Sequence, residues 1–345
     1  MVGSHMKKGI SAVLTIGFLL AALLFLGAFN WSKPRILVMH SFDPDAPSVK
    51  KMNEGIRRTL GKNRQPVSVR WHYLSMDRLP DEETRQDSAA EGRRAIEQFD
   101  PDVIIAVDDE TQEYVARRYA GHSRPAVIFT AIDRDPKEYG YVGAPNVTGI
   151  IETLPLDAVR DTLLQARRGK PARLAILGHP GPTGTGRLHQ VESFNWAPHR
   201  VVAVNMLRDF ASWQIAIAGM ENKADVILLL SDDGLQVNAT NSTLVPRADI
   251  THWINDNAKP LPLGFSASYV EEGGGISILP SPVEMGELAA DYALSWLKTR
   301  SVNQLPITRS SSYRVAIHAA ALDARSISLP SNYVEAARMD QLYFP

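Results

Sequence analysis

Pro101-Asp102-Val103-Ile104-Ile105-Ala106-Val107-Asp108-Asp109-Glu110 is followed, after one helix-like segment, by Arg124-Pro125-Ala126-Val127-Ile128-Phe129-Thr130-Ala131-Ile132-Asp133. This stretch decides the fold. It reads as buried strand, polar loop, helix, second buried strand, second polar loop. The runs Val103–Val107 and Ala126–Phe129 are apolar without interruption. Both faces of such strands must be covered, as in a parallel sheet with helices on each side. In these sheets a crevice for ligands lies beyond the carboxyl ends of the strands. The loops at those ends carry Asp108, Asp109 and Glu110, then Thr130 and Asp133.

The pattern returns downstream. Ala224-Asp225-Val226-Ile227-Leu228-Leu229-Leu230-Ser231-Asp232-Asp233 repeats the first strand with its acidic exit, and Lys259-Pro260-Leu261-Pro262-Leu263-Gly264-Phe265-Ser266 echoes Arg124 to Thr130. Each unit has an opening strand upstream, Arg35–Ser41 in one and Arg173–His179 in the other. Three echoes in the same order predict two Rossmann-like α/β lobes with parallel sheets, their matching loops facing one another across a hinge cleft.

Apolar spacing predicts helices over Ala46–Leu60, Asp81–Gln98, Leu156–Ala166, Phe210–Met220, Leu244–Asn257 and Val283–Lys298. Val67–Tyr73 and Arg200–Leu207 read as strands, and Asn146–Ile151 as a strand that crosses between lobes. The segment Arg314–Ile317 and a small helix over His318–Arg325 are expected to pack back on the first lobe. With no long linker in the chain, the lobes are expected to be joined by several short crossings. Lobe 1 is assigned residues 33–152 plus about 281–330, and lobe 2 residues 153–280. Residues 331–345 are left as a tail.

A length of 345 residues allows two domains with proper cores. Hydrophobic content of 44% with 22% charged residues is ordinary for a globular protein. The net charge of -1 gives no electrostatic reason to expect nucleic acid or an anionic membrane surface as partner. There is no cysteine. That excludes disulfides, thiolate metal sites, a cysteine nucleophile and a lipoprotein anchor, and it is compatible with an oxidising compartment.

Residues 1–6 read as a tag scar, with Gly3-Ser4-His5-Met6 as its signature. Lys7 and Lys8 precede Gly9–Phe29, 21 residues without a charge, and Trp31 follows. A helix of that length rises about 30 Å, enough for a bilayer core. Lysines before and a tryptophan after fit cytoplasmic and interfacial flanks. Residues 7–31 are therefore expected to be a transmembrane signal anchor. A cleaved signal peptide is the competing reading, with a shorter apolar core and a better small-residue site than Leu26-Gly27-Ala28 offers.

The order of Arg35–Phe42, Asp102–Val107, Val127-Ile128-Phe129-Thr130-Ala131, Asn146-Val147-Thr148-Gly149 and Leu174-Ala175-Ile176-Leu177 resembles the ABC-transporter substrate-binding proteins of the tryptophan/tyrosine-binding type. The resemblance runs from about residue 34 to Pro330. It implies a type I periplasmic-binding-protein fold, a small-molecule ligand in the cleft and a place in the bacterial periplasm. Two stretches depart from the family pattern: Asp108-Asp109-Glu110, where a small residue, Thr or Pro is frequent, and Gly178-His179-Pro180-Gly181-Pro182 in place of Tyr-Asn-Pro-Gly.

Ser41, Phe42, Asp108, Asp109, Thr130, Asp133, Ser231, Asp232, Ser266 and Tyr269 stand at strand ends, as a ligand-binding set should. Asp109, and Asp232 or Asp233, also read as helix N-caps or solvated surface acids, the more ordinary role for such residues. Carboxylates from facing lobes would suit an ammonium, a polyamine or sugar hydroxyls. The glycine-rich Gly178–Gly186 lacks the ending of a phosphate-cradling loop and reads as a turn. His179, His189 and His199 are too widely spaced for a local metal motif, and no cofactor is called for. There is no Gly-x-Ser-x-Gly elbow and no His-Glu-x-x-His, so a non-enzyme is expected. Two functions remain. One is a membrane-anchored solute-binding protein whose closed form is read by an inner-membrane partner, a permease or a signalling protein. The other is a ligand-free accessory subunit of a membrane complex.

Overall fold

The computed structural model describes residues 15–25, 27, 33–79 and 81–345. Two sheets organise it, one per lobe. The first contains β1 (Arg35–His40), β2 (Ser68–Tyr73), β3 (Val103–Val107), β4 (Ala126–Ile132), β5 (Val147–Ile151) and β13 (Thr308–Arg309), in the order β13-β5-β4-β3-β1-β2. All its pairs are parallel. The continuous apolar runs explain this arrangement. Ile104, Ala106, Val127 and Phe129 bury themselves on one face, while Val103, Ile105, Val107, Ala126 and Ile128 do so on the other.

Helices cover both faces. On one side, α2 (Pro47–Lys62) lies against α10 (Pro282–Thr299), which returns from the far end of the chain. Two glycines set their closest approach. A Cβ on Gly55 would fall 2.2 Å from the Val283 carbonyl oxygen, and one on Gly286 2.3 Å from that of Met52. On the other side lies α3 (Glu82–Phe99), capped by Asp81, whose carboxylate accepts the Thr84 N–H at 2.8 Å.

The second sheet runs β15 (Tyr343–Phe344), β14 (Tyr313–His318), β12 (Ile276–Pro280), β11 (Leu261–Gly264), β8 (Val226–Leu229), β6 (Arg173–Gly178), β7 (Arg200–Met206). Its helices include α5 (Leu156–Ala166), α6 (Pro182–Ser193), α7 (Phe210–Met220), α8 (Arg247–Asn257) and the short α9 (Ala267–Glu271). A hairpin of β9 (Gln236–Asn238) and β10 (Asn241–Leu244) precedes α8.

One expectation is corrected here. Arg314–Ile317 lies in β14, which pairs antiparallel with β12 in the second sheet rather than packing on the first lobe. Val315, Ala316 and Ile317 are each buried, and β14 covers an edge that β12 would otherwise leave open. The following helices, α11 (Ala319–Asp323) and α12 (Ser331–Met339), stay with that lobe. The terminal β15 pairs parallel with β14, so residues 331–345 complete the second sheet. Gly178–Gly186 is also more than a turn, because α6 begins within it at Pro182.

Three short crossings join the lobes: one after β5 through Glu152, one at Ser281, and one at Ser310–Ser312. They are tied side by side. Thr153 N–H donates to Ser310 Oγ at 2.9 Å, Ser281 N–H to the Ser312 carbonyl at 3.0 Å, and Glu284 accepts Ser312 N–H at 2.8 Å. Such a narrow strap of backbone is a hinge.

Residues 15–25 form helix α1, with Phe18 72% and Leu24 74% exposed. Most of the expected anchor, residues 7–31, lies outside the described residues. Among the described residues no helix is long and apolar enough to cross a membrane.

Candidate functional site

A cleft of about 760 Å³ opens between the lobes where the carboxyl ends of both sheets meet. The acidic exit of β3 forms part of its floor, and its three consecutive acids go three ways.

Asp108 lines the cleft. Its backbone has φ 68° and ψ 162°, a conformation that a residue with a side chain rarely adopts. The surroundings hold it there. Its N–H donates to the Thr130 carbonyl at 3.0 Å, its own carbonyl accepts Gln112 Nε2 at 2.9 Å, and Gln112 is fixed in turn by the Tyr141 hydroxyl at 2.8 Å. Ser41 Oγ donates to Asp108 Oδ2 at 2.9 Å. Burial raises the Asp108 carboxyl well above its ordinary range; Glu110 adds to the rise, and the Ser41 hydrogen bond opposes it.

Asp109 turns into the lobe and is fully buried. Its carboxylate accepts Asp133 N–H at 2.8 Å and the Tyr139 hydroxyl at 2.6 Å. It neither faces a ligand nor caps α4 (Asp109–Tyr114); it ties the exit of β4 to the exit of β3. Thr130 is likewise withdrawn, wholly buried with its hydroxyl aimed at the Met285 carbonyl at 3.3 Å. Both expectations of cleft contact are corrected, because the Asp133 N–H and the Tyr139 hydroxyl claim Asp109 and a carbonyl in the first turn of α10 claims Thr130. Ser41, 1% exposed, meets the cleft only through Asp108.

Asp133 lines the cleft, but a cation from the other lobe already matches its charge. Arg187 on α6 donates through Nε to Asp133 Oδ2 at 3.2 Å, through Nη2 to Glu152 Oε1 at 2.9 Å, and through Nη1 to the Leu230 carbonyl at 2.8 Å. Burial works against the Arg187 charge, and Asp133 with Glu152 overcomes that, holding the guanidinium above its ordinary value. Two glycines of the run 178–186 permit the approach. A Cβ on Gly186 would lie 2.6 Å from Asp133 backbone carbon, and one on Gly184 1.9 Å from the His179 carbonyl oxygen.

On the second lobe, Arg247 pairs with Asp232 at 3.4 Å and with Asp233. Ser231 donates to Asp233 Oδ2 at 3.0 Å. Neither Asp232 nor Asp233 caps a helix; they open the turn into the β9–β10 hairpin. Ser266 is the N-cap of α9, its hydroxyl accepting Tyr269 N–H at 3.4 Å, and it lines the cleft. Tyr269 also lines it, its ring laid on Gly274, where a Cβ would come within 2.3 Å of the ring. Half-buried Phe42 and the largely buried Phe265 add aromatic surface beside it, while Trp213 is wholly buried in the core of the lobe.

Sequence reading missed His40, Arg187 and Arg247. His40 ends β1 and borders the cleft, bonded through Nε2 to Asn53 Oδ1 at 2.9 Å and stacked on Tyr73. Burial pushes it down to about 4, so it is neutral. Its place beside Ser41 was the available signal. The two arginines sit on helices with no local motif, and only tertiary structure brings them to the acids.

A second, smaller chamber between the lobes collects Asp77 and Glu110 from one side with His179 and Asp233 from the other. Burial, followed by the charges of Asp109 and Asp233, pushes Glu110 up to about 7, and its Oε2 has no hydrogen-bond partner. Among the described residues no group of His, Asp and Glu is placed to hold a metal ion.

No protein-family model and no curated protein matches the chain. Solved structures do. A conserved domain protein from Vibrio cholerae O1 biovar El Tor aligns with TM-score 0.65 at 17% identity, covering 88% of this chain and 98% of its own. An ABC domain from Streptococcus pneumoniae in complex with L-Trp gives TM-score 0.65 and 17% identity over 87% and 98%. A substrate-binding protein with adhesive properties from Clostridium difficile, in its ligand-free open form, gives 0.62 and 16% over 87% and 97%. At such identities the likeness establishes architecture, and the architecture of this chain is the type I periplasmic-binding-protein fold.

Proposed function

We propose that this chain is a non-enzymatic solute-binding protein of the bacterial periplasm, held at the inner membrane by residues 7–31, whose lobes close on a small amino-acid-like molecule bearing an ammonium group. One observation carries the reading. Asp133, Glu152, Asp232 and Asp233 are already matched by Arg187 or Arg247, whereas Asp108 has only the Ser41 hydroxyl and faces the open cleft. A buried carboxylate without a cation is costly, and a ligand ammonium relieves that cost on binding. The half-buried Phe42, with the edges of Phe265 and Tyr269, suits the apolar body of such a ligand.

Closure around the hinge then gives a membrane partner, a permease or a signalling protein, two states to distinguish. The exposed apolar side chains of α1 support the anchor. An open cleft favours a ligand over the accessory-subunit reading, for which a plugged cleft would be expected.

A thermal-shift screen of amino acids, polyamines, nucleosides and sugars tests this. A ligand at a hundred times its dissociation constant adds about 2.7 kcal/mol of stability. An amine-bearing compound should raise the melting temperature of the wild type and leave Asp108→Asn unmoved. A hit lacking any cationic group, or one that stabilises Asp108→Asn equally, overturns the assignment.

A further inference from the structure

Every strand pair of the first sheet is parallel, so its carboxyl ends share the cleft and its amino ends share the opposite pole. Helices α2, α3 and α10 run back against the strands and finish at that pole. Strand β1 starts there at Arg35, directly after the apolar run Gly9–Phe29 and Trp31. Four residues of chain reach at most about 14 Å. If residues 7–31 are in the bilayer, as the proposed function has it, this pole lies against the headgroups.

The pole is basic. Lys62 ends α2 and Arg64 follows it; Lys298 and Arg300 end α10; Arg124 precedes β4. All five are exposed. Asp291 feels both Lys62 and Lys298, with α10 running on past the end of α2. Four acids oppose them, Glu97 in the last turn of α3 and Asp291 on α10 among them. Asp100 pairs with Arg35 at 2.6 Å and with Arg124 at 3.5 Å, and Asp102 with Arg124 at 3.5 Å and Arg300 at 2.9 Å. Arg124 stays 40% and Arg300 51% exposed despite these pairs. Helix dipoles account for cations in the last turns of α2 and α10. They do not account for Arg64 or Arg124, which lie outside helices. The overall charge of -1 conceals this asymmetry, because the carboxylates gather at the cleft instead.

We propose that the basic pole of the first lobe is a membrane-docking face that seats on anionic lipid headgroups and holds the cleft pointing away from the bilayer. The inference rests on the anchoring part of the proposed function.

The absence of cysteine makes the test clean. A single cysteine is placed in the full chain at Gly61, where a Cβ meets nothing within 4 Å, or at Lys50 on the cleft end of the same helix. Each carries a fluorophore, in nanodiscs with a headgroup quencher, made of phosphatidylcholine alone or mixed with phosphatidylglycerol. Quenching at Gly61 should exceed that at Lys50 several-fold in the anionic discs. It should fall towards the Lys50 level in neutral lipid, in high salt, and in the variant Lys62→Gln/Arg64→Gln/Lys298→Gln/Arg300→Gln, whose folding is checked by its melting temperature. Equal quenching at both ends, or quenching at Gly61 that ignores lipid charge and the variant, overturns the docking face while leaving the anchor standing. A chain that does not enter the discs at all overturns the anchor, and the docking face with it.

Discussion

Asp108, Asp109 and Glu110 are neighbours in sequence and strangers in space. The first lines the cleft in a strained backbone conformation, the second stitches two loops inside the lobe, and the third enters a small chamber between lobes. Glu110 makes a testable pH dependence. Its pKa is raised from 4.5 to about 7, mainly by burial. A raised carboxyl favours folding while protonated, so its contribution is full below about pH 4.5 and is lost as the pH rises through 7. Glu110→Gln should therefore stabilise the protein at pH 8, by at most about 3 kcal/mol, with the gain vanishing towards pH 4.5. Denaturant midpoints across that range measure it; a gain that does not change with pH contradicts the assignment. That acids gather at this turn was legible in the sequence. Which of them lines the cleft was not, because the choice depends on the positive φ of Asp108 and on donors from Tyr139 and the β4 exit.

Elements were more legible than residues. Continuous apolar runs announced β3, β4 and β8, and spacing placed Leu156–Ala166 and Phe210–Met220 as helices with the bounds they have. The sheet partner of β14 was hidden, since an apolar triplet such as Val315-Ala316-Ile317 fits either lobe, and only the third crossing directs it to the second. Close helix contact was hidden as well. Gly55 and Gly286 look like weak points in helices, yet each sits where α2 and α10 nearly touch. Gly55→Ala improves helix propensity by about 1 kcal/mol, but its methyl would meet the Val283 carbonyl. Net destabilisation of about 2 kcal/mol is expected, read from chemical denaturation. A neutral or stabilising result would mean that the two helices part freely.

At the scale of the whole molecule, repetition of one α/β plan places two sets of loops face to face, and three short crossings join the lobes. The opposite pole of lobe 1 is basic and adjoins the apolar segment, while acids and aromatics line the cleft. Echoes of strand and loop along the chain foretold the two lobes. The arginines that neutralise the cleft acids could not be foreseen, because Arg187 and Arg247 reach them from other helices. Closure on a ligand is the central claim, and the distance across the cleft mouth tests it most directly. Cysteines at Glu54 on α2 and Glu271 on α9, both exposed and bordering the cleft, take spin labels in this otherwise cysteine-free chain. Adding the stabilising amine from the screen should shorten and narrow the label-to-label distribution in the wild type and leave that of Asp108→Asn broad. An unchanged distribution at saturating ligand would contradict closure and, with it, the reading of this protein as a hinged binding protein.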